Sequence, residues 1–202
     1  MASTDVDYAR WHDGIPYDLA ALAELEEGER GVIEHWLLAR AGKDWRDLEG
    51  LLAIGTERAR AAVVDQLLNG TIEMRLAAAR RLPPDEVTEP AREAAIVKGL
   101  ETATLLTGMS AAIGLARDYP SPAVKDALFR SILRPDRETA VHAAALLAFL
   151  HGNAKEPFDW DRRDFYRQFN DDVPEVRIAA FRALCLECGV DPGPYIRRTL
   201  AG

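Results

Sequence analysis

The sequence predicts an all-α protein of helices joined by short connections. Three observations carry this. Ala and Leu dominate the apolar residues, while aromatics make up only 7% of the 202 residues, a balance that favours helix over sheet. Apolar side chains recur at three- and four-residue spacing, and no stretch alternates β-branched with polar residues as a half-buried strand would. Capping and stop residues punctuate the chain at helical lengths. A content of 48% hydrophobic and 29% charged residues is that of a folded globular chain.

Asp18 to Leu25 is the first expected helix, after Pro16, with Leu19, Leu22 and Leu25 as its apolar stripe. The second covers Glu29 to Ala41 and places Val32, Ile33, Trp36 and Leu37 at core spacing; Gly42 stops it in the left-handed conformation. Asp44 caps the third, with Trp45, Leu48, Leu51 and Leu52 on one side, and Gly55 ends it. Thr56 caps a fourth through Leu68, Asn69-Gly70 turns the chain, and Thr71 opens a fifth that Pro83-Pro84 must end. Asp85 to Thr102, Leu105 to Arg117 and Pro122 to Leu133 follow, the last two joined through a tight turn at Tyr119-Pro120-Ser121-Pro122. Asp136 caps a helix to Leu150, closed by His151-Gly152. Asn153 to Phe158 is the longest expected loop, and Asp159 to Phe169 and Val173 to Cys188 are the last clear helices.

The helices repeat. Arg75-Leu-Ala-Ala-Ala, Gly108-Met-Ser-Ala-Ala, His142-Ala-Ala-Ala-Leu and Arg177-Ile-Ala-Ala-Phe start 33, 34 and 35 residues apart. Six residues upstream of each stand Asn69, Thr102, Asp136 and Asp171, mostly turn or cap residues. One helix pair cannot bury its apolar face alone, whereas stacked pairs share a continuous core.

An acid or amide followed six residues later by Arg, then by small residues, resembles the HEAT repeat family. Asp171–Arg177 matches best, Asn69–Arg75 and Asp136–His142 less well, and Thr102–Gly108 departs from the pattern. The resemblance covers about residues 44–189. It implies a right-handed α-solenoid of about five antiparallel helix pairs, with an acid–arginine ladder between neighbouring repeats. Residues 1–43 would then form the N-terminal cap, 44–189 the repeats and 190–202 a C-terminal tail anchored by Tyr195 and Ile196.

Motifs for chemistry are scarce. Cys185-Leu-Glu-Cys188 closes a helix instead of opening one, so both sulfurs are expected in the core and not at a redox centre. His12, His35, His142 and His151 form no metal-ligand spacing, and no second CxxC completes a zinc set. His142 stands in the column of the repeat arginines, where a structural hydrogen bond is expected. There is no glycine-rich phosphate loop and no nucleophile elbow. The expectation is no cofactor, no metal and no catalysis. The longest apolar run, Ala143 to Leu150, falls short of the roughly 18 residues of a membrane span. The first residues lack the basic and apolar segments of a secretory signal, so a cytoplasmic protein is expected.

Charge is what the sequence offers for recognition. The net charge is −8, and residues 1–50 hold 12 acids against 5 bases while the remainder is nearly balanced. Such a field attracts basic surfaces and repels nucleic acid phosphates. Asp44-Trp45-Arg46-Asp47-Leu48-Glu49 reads either as a capped helix whose Trp45 packs against Trp36 with its charges solvated, or, with Glu26 and Glu27 upstream, as a docking edge for a basic protein, Trp45 being its anchor. Phe158-Asp159-Trp160-Asp161 is a second aromatic and acidic cluster, and Trp11 to Tyr17 a third that ties the N-terminus onto the first helices. Small acidic HEAT-like chains with an aromatic-rich N-terminus resemble bacterial immunity proteins, which implies binding and occlusion of a basic toxin. Arg80-Arg81, Arg162-Arg163 and Arg197-Arg198 support the alternative of a HEAT-like DNA-binding protein or glycosylase, but acids beside the first two pairs break up the continuous basic stripe a duplex needs. A structural adaptor is the third reading.

Overall fold

The computed structural model describes residues 17–136 and 139–200, and among them every regular element is a helix. The α-helices are α1 (Leu19–Ala23), α2 (Glu27–Leu38), α3 (Trp45–Ile54), α4 (Glu57–Asn69), α5 (Ile72–Arg81), α6 (Glu89–Thr102), α7 (Met109–Asp118), α8 (Pro122–Ile132), α9 (Ala140–Leu150), α10 (Arg163–Arg167), α11 (Pro174–Glu187) and α12 (Gly193–Leu200). The caps explain most boundaries. Side-chain oxygens of Asp18, Asp44, Thr56, Thr71 and Ser121 accept from main-chain N–H groups of the first turns of α1, α3, α4, α5 and α8. Gly55 closes α3 at a φ of 72°, a left-handed position that glycine adopts without steric cost.

Packing follows chain order. Helix α3 touches α4 and α5, α4 touches α5 and α6, α5 touches α6 and α7, α6 touches α7 and α8. Helix α9 then packs on α7, α8, α10 and α11. Alternate helices therefore form two layers, α3, α5, α7, α9 and α11 in one and α4, α6 and α8 in the other. One contiguous core runs between them, through Leu48, Leu51, Val63, Leu76, Ile96, Leu128, Leu147 and Phe181. The alanines at 77–79 and 143–145 are buried and allow close approach. Gly99 of α6 packs tightly too: an added Cβ would sit 2.8 Å from Leu76 and 3.1 Å from Ala112. Helices α1 and α2 both rest on α3 at the amino-terminal end.

Several expected boundaries shift. Helix α2 ends at Leu38, and Gly42 keeps an ordinary φ; the 39–43 segment turns instead through main-chain bonds from Arg40 to Leu37 and from Lys43 to Arg40. The helix expected from Leu105 starts at Met109, because Thr104 and Thr107 brace a tight turn with their hydroxyls 2.9 Å apart and Gly108 reverses the chain at a φ of 104°. Asp136 pairs with Arg134, and Thr139 is the N-cap residue of α9. The expected helix from Asp159 to Phe169 is a short α-helix between two 3-10 turns, Trp160–Arg162 and Gln168–Asn170. The expected tail forms α12, whose Tyr195 ring lies 5.5 Å from Phe129 and whose hydroxyl donates to Asp126 at 2.7 Å.

Arginines satisfy main-chain oxygens where connections bend. Arg30, Arg60 and Arg75, and Arg177 through one of its two bonds, each donate to the carbonyl five residues earlier, at Leu25, Gly55, Gly70 and Asp172. The arginines of the repeat column thus hold the start of their own helix. Arg134 caps the end of α6 through Leu100 and Ala103 oxygens. His142 lies exposed, its ring 5.7 Å from Phe158.

Candidate functional site

The amino-terminal end carries most of the excess negative charge, and the structure divides its described acids into two groups. The first group is consumed inside the fold. Asp47 on α3 is fully buried; its Oδ1 accepts the Tyr17 hydroxyl at 2.7 Å, and Arg40 Nε stands 3.5 Å from its Oδ2, an ion pair without hydrogen-bond geometry. Burial raises the Asp47 carboxyl above its ordinary value, opposed by the Tyr17 hydrogen bond and the Arg40 charge. Burial first, then the same hydrogen bond, pushes the Tyr17 hydroxyl well up. Asp44 accepts from the N–H of Arg46 at 2.9 Å and from its guanidinium at 3.0 Å. Glu49 accepts from Arg81 at 2.9 Å, and the Arg81 guanidinium covers the half-buried Trp45 ring at 4.6 Å, with Arg46 at 5.2 Å. The expected edge of Asp44, Trp45, Asp47 and Glu49 is therefore an internal brace between α3, α5 and Tyr17. Asp47 in particular offers nothing to a partner, because its carboxylate is closed off from solvent.

The second group is free to act outward. Glu24, Glu26, Glu27 and Glu29 are exposed at the start of α2 and make no ion pair among the described residues. Beside them stand two apolar side chains that the spacing assigned to the core. Val32 is 71% and Trp36 46% exposed. They lie four residues apart on the outer face of α2, while Ile33 and Leu37 turn inward. Gly28 and Gly31 leave open space next to them. The Arg40 guanidinium lies 4.6 Å from the Trp36 ring and links this face to buried Asp47. The four apolar positions 32, 33, 36 and 37 form a stripe wider than one neighbour covers, and among the described residues α2 packs chiefly on α3; that width is the signal in the sequence.

The second predicted cluster also splits. Asp159 is buried and accepts from the N–H groups of Lys155 and Asp161 at 3.1 and 3.0 Å, so it staples the 153–160 loop. Asp161 pairs with exposed Lys155 at 2.8 Å, which lowers the carboxyl and raises the amine. Trp160 is 66% exposed, with Phe158 5.3 Å away and Arg163 over its ring. Residues 11–16 of the third aromatic cluster lie outside the described residues.

One arginine in each of two basic pairs is held by a carboxylate. Arg81 is held by Glu49, and Arg162 by Glu187 at 2.6 Å and by the Asn153 oxygen at 2.7 Å. Cys185 is buried and Cys188 half-buried; burial is the main cause that pushes their thiols up to about 12 and about 11.

No known family matches. The same holds for curated proteins and for solved structures, none of which matches this chain. Among the described residues no helix is long and apolar enough to cross a membrane, and no three His, Cys, Asp or Glu side chains gather as a metal site would require. On the outer face of α2 exposed Val32 and Trp36 stand beside exposed carboxylates that make no ion pair among the described residues.

Proposed function

We propose that this chain is a non-catalytic protein-binding scaffold whose α1–α2 end takes a basic protein. In the finer form of the reading, the helices make a right-handed α-solenoid of HEAT-like pairs. The contacts between alternate helices, α3 with α5, α4 with α6, α5 with α7, α6 with α8, α7 with α9 and α9 with α11, support that form. A solenoid presents a rigid surface, so little ordering entropy is lost on association. The observation that carries the function is the Val32–Trp36 stripe on α2, bordered by Glu24, Glu26, Glu27 and Glu29. An exposed tryptophan in an acidic border supplies an anchor of the kind that dominates interfaces, and the carboxylates steer a cationic partner. The narrower form is an immunity protein that occludes a basic toxin.

Affinity capture from the source organism at low and high salt tests this reading, with Trp36→Ala and Glu27→Lys/Glu29→Lys as variants beside the native chain. One basic protein held by the native chain, lost with Trp36→Ala and weakened by the charge reversal, is the expected result. Capture that is unchanged in both variants overturns the surface. Retardation of duplex DNA at low salt would put the nucleic-acid reading in its place.

A further inference from the structure

A second site lies far from α2 in sequence, where the start of α6 meets the link between α7 and α8. Arg92 on α6 is fully buried. Its Nε donates to the Ala79 oxygen at 3.1 Å and its Nη2 to the Leu82 oxygen at 2.7 Å, so the guanidinium is fixed against the end of α5. The remaining nitrogen, Nη1, is buried with no hydrogen-bond partner. Glu89 comes within 3.6 Å of it, too far for a hydrogen bond, and the Glu89 side chain is otherwise 73% exposed.

Arg92 lines a cavity of about 430 Å³. The Tyr119 ring covers the guanidinium at 4.8 Å, and Pro90 and Pro120 supply further apolar wall. Glu93 lies on the same rim and accepts the Ser121 hydroxyl. Two carboxylates and one guanidinium leave this rim with a net negative charge. A plain carboxylate ligand would add to that charge, and a plain amine would leave Nη1 without an acceptor. A zwitterion answers both groups and changes the net charge by nothing.

We propose that this cavity binds a free α-amino acid with an apolar side chain. Its carboxylate takes the Arg92 Nη1 hydrogens in place of Glu89, its ammonium lies between Glu89 and Glu93, and its side chain rests on Tyr119, Pro90 and Pro120. The site stands independently of the protein-binding face on α2.

Calorimetric titration of the whole chain with L-leucine, L-phenylalanine, N-acetyl-L-phenylalanine and L-phenylalaninamide is the test. Saturable binding of at least one free amino acid is expected, weakened about 10-fold or more in each blocked derivative, the cost of one charge-assisted hydrogen bond. Glu93→Gln, on a half-buried rim position, should fold normally and weaken the amino acid by a similar factor. Amide shifts on binding should centre on Glu93, Tyr119 and Ser121. The proposal fails if neither amino acid binds up to about 10 mM. It also fails if the acetylated compound binds as well as the free one, or if the shifts centre elsewhere.

Discussion

Replacing Tyr17 by Phe removes one oxygen and tests how the amino-terminal end is fastened. The lost bond is 2.7 Å long and ends on a fully buried carboxylate. A hydrogen bond to a charged group contributes about 1.5–3 kcal/mol, and here the alternative donor, Arg40, stands at 3.5 Å without hydrogen-bond geometry. For a chain of this size that corresponds to a midpoint lowered by about 3–12 °C. The pH dependence gives a sharper check. Burial already raises the Asp47 carboxyl from the ordinary 3.8, and the Tyr17 bond pulls it back down. Without Tyr17 the folded-state value climbs further. A raised carboxyl means the folded state holds the proton more tightly than the unfolded one. This group's contribution to stability is therefore greatest below 3.8 and is lost as pH rises through the folded value. The Tyr17→Phe loss should thus be smaller at pH 4 than at pH 7 in urea unfolding. A loss under about 0.5 kcal/mol at pH 7, or an equal loss at both pH values, would show that the Tyr17 hydroxyl does not hold Asp47 in its charged form.

Further outcomes follow from the packing and the thiols. Gly99→Ala should destabilise by about 1–3 kcal/mol in urea unfolding, because the new methyl group meets Leu76 at 2.8 Å between three packed helices; an unchanged midpoint would show that α5 and α7 can move apart. A thiol reagent at pH 8 should leave Cys185 and Cys188 nearly untouched in the native state and modify both in denaturant, since burial holds their thiols near 12 and 11; fast native labelling would contradict their placement. Arg92→Met should cost about 3 kcal/mol or more, measured the same way, because it strands the Ala79 and Leu82 oxygens in the interior; a native-like midpoint would mean water reaches them.

The helical fold was legible because its signals are local. Asp44, Thr56, Thr71 and Ser121 act on residues two or three positions ahead, and Gly55 on its own backbone. Boundaries failed where a turn was braced by side chains with no strong preference, as at Thr104 and Thr107. The acidic excess of the amino-terminal end was legible, but which of its side chains face solvent was not. Nothing near Asp47 in sequence announces that Tyr17, thirty residues earlier, will bury it. Periodicity marks Val32 and Trp36 as apolar but is silent on how many sides of α2 have neighbours. The same gap hid the cavity at Arg92, whose partners come from α5 and from Tyr119.

On the proposed reading, the outer face of α2 serves a partner and not the fold. Val32→Ala/Trp36→Ala should keep its unfolding free energy within about 1 kcal/mol of the native chain, as expected for exposed positions, and should no longer capture the basic protein that the native chain holds. Capture at native strength by the double variant would show that this face does not hold the partner.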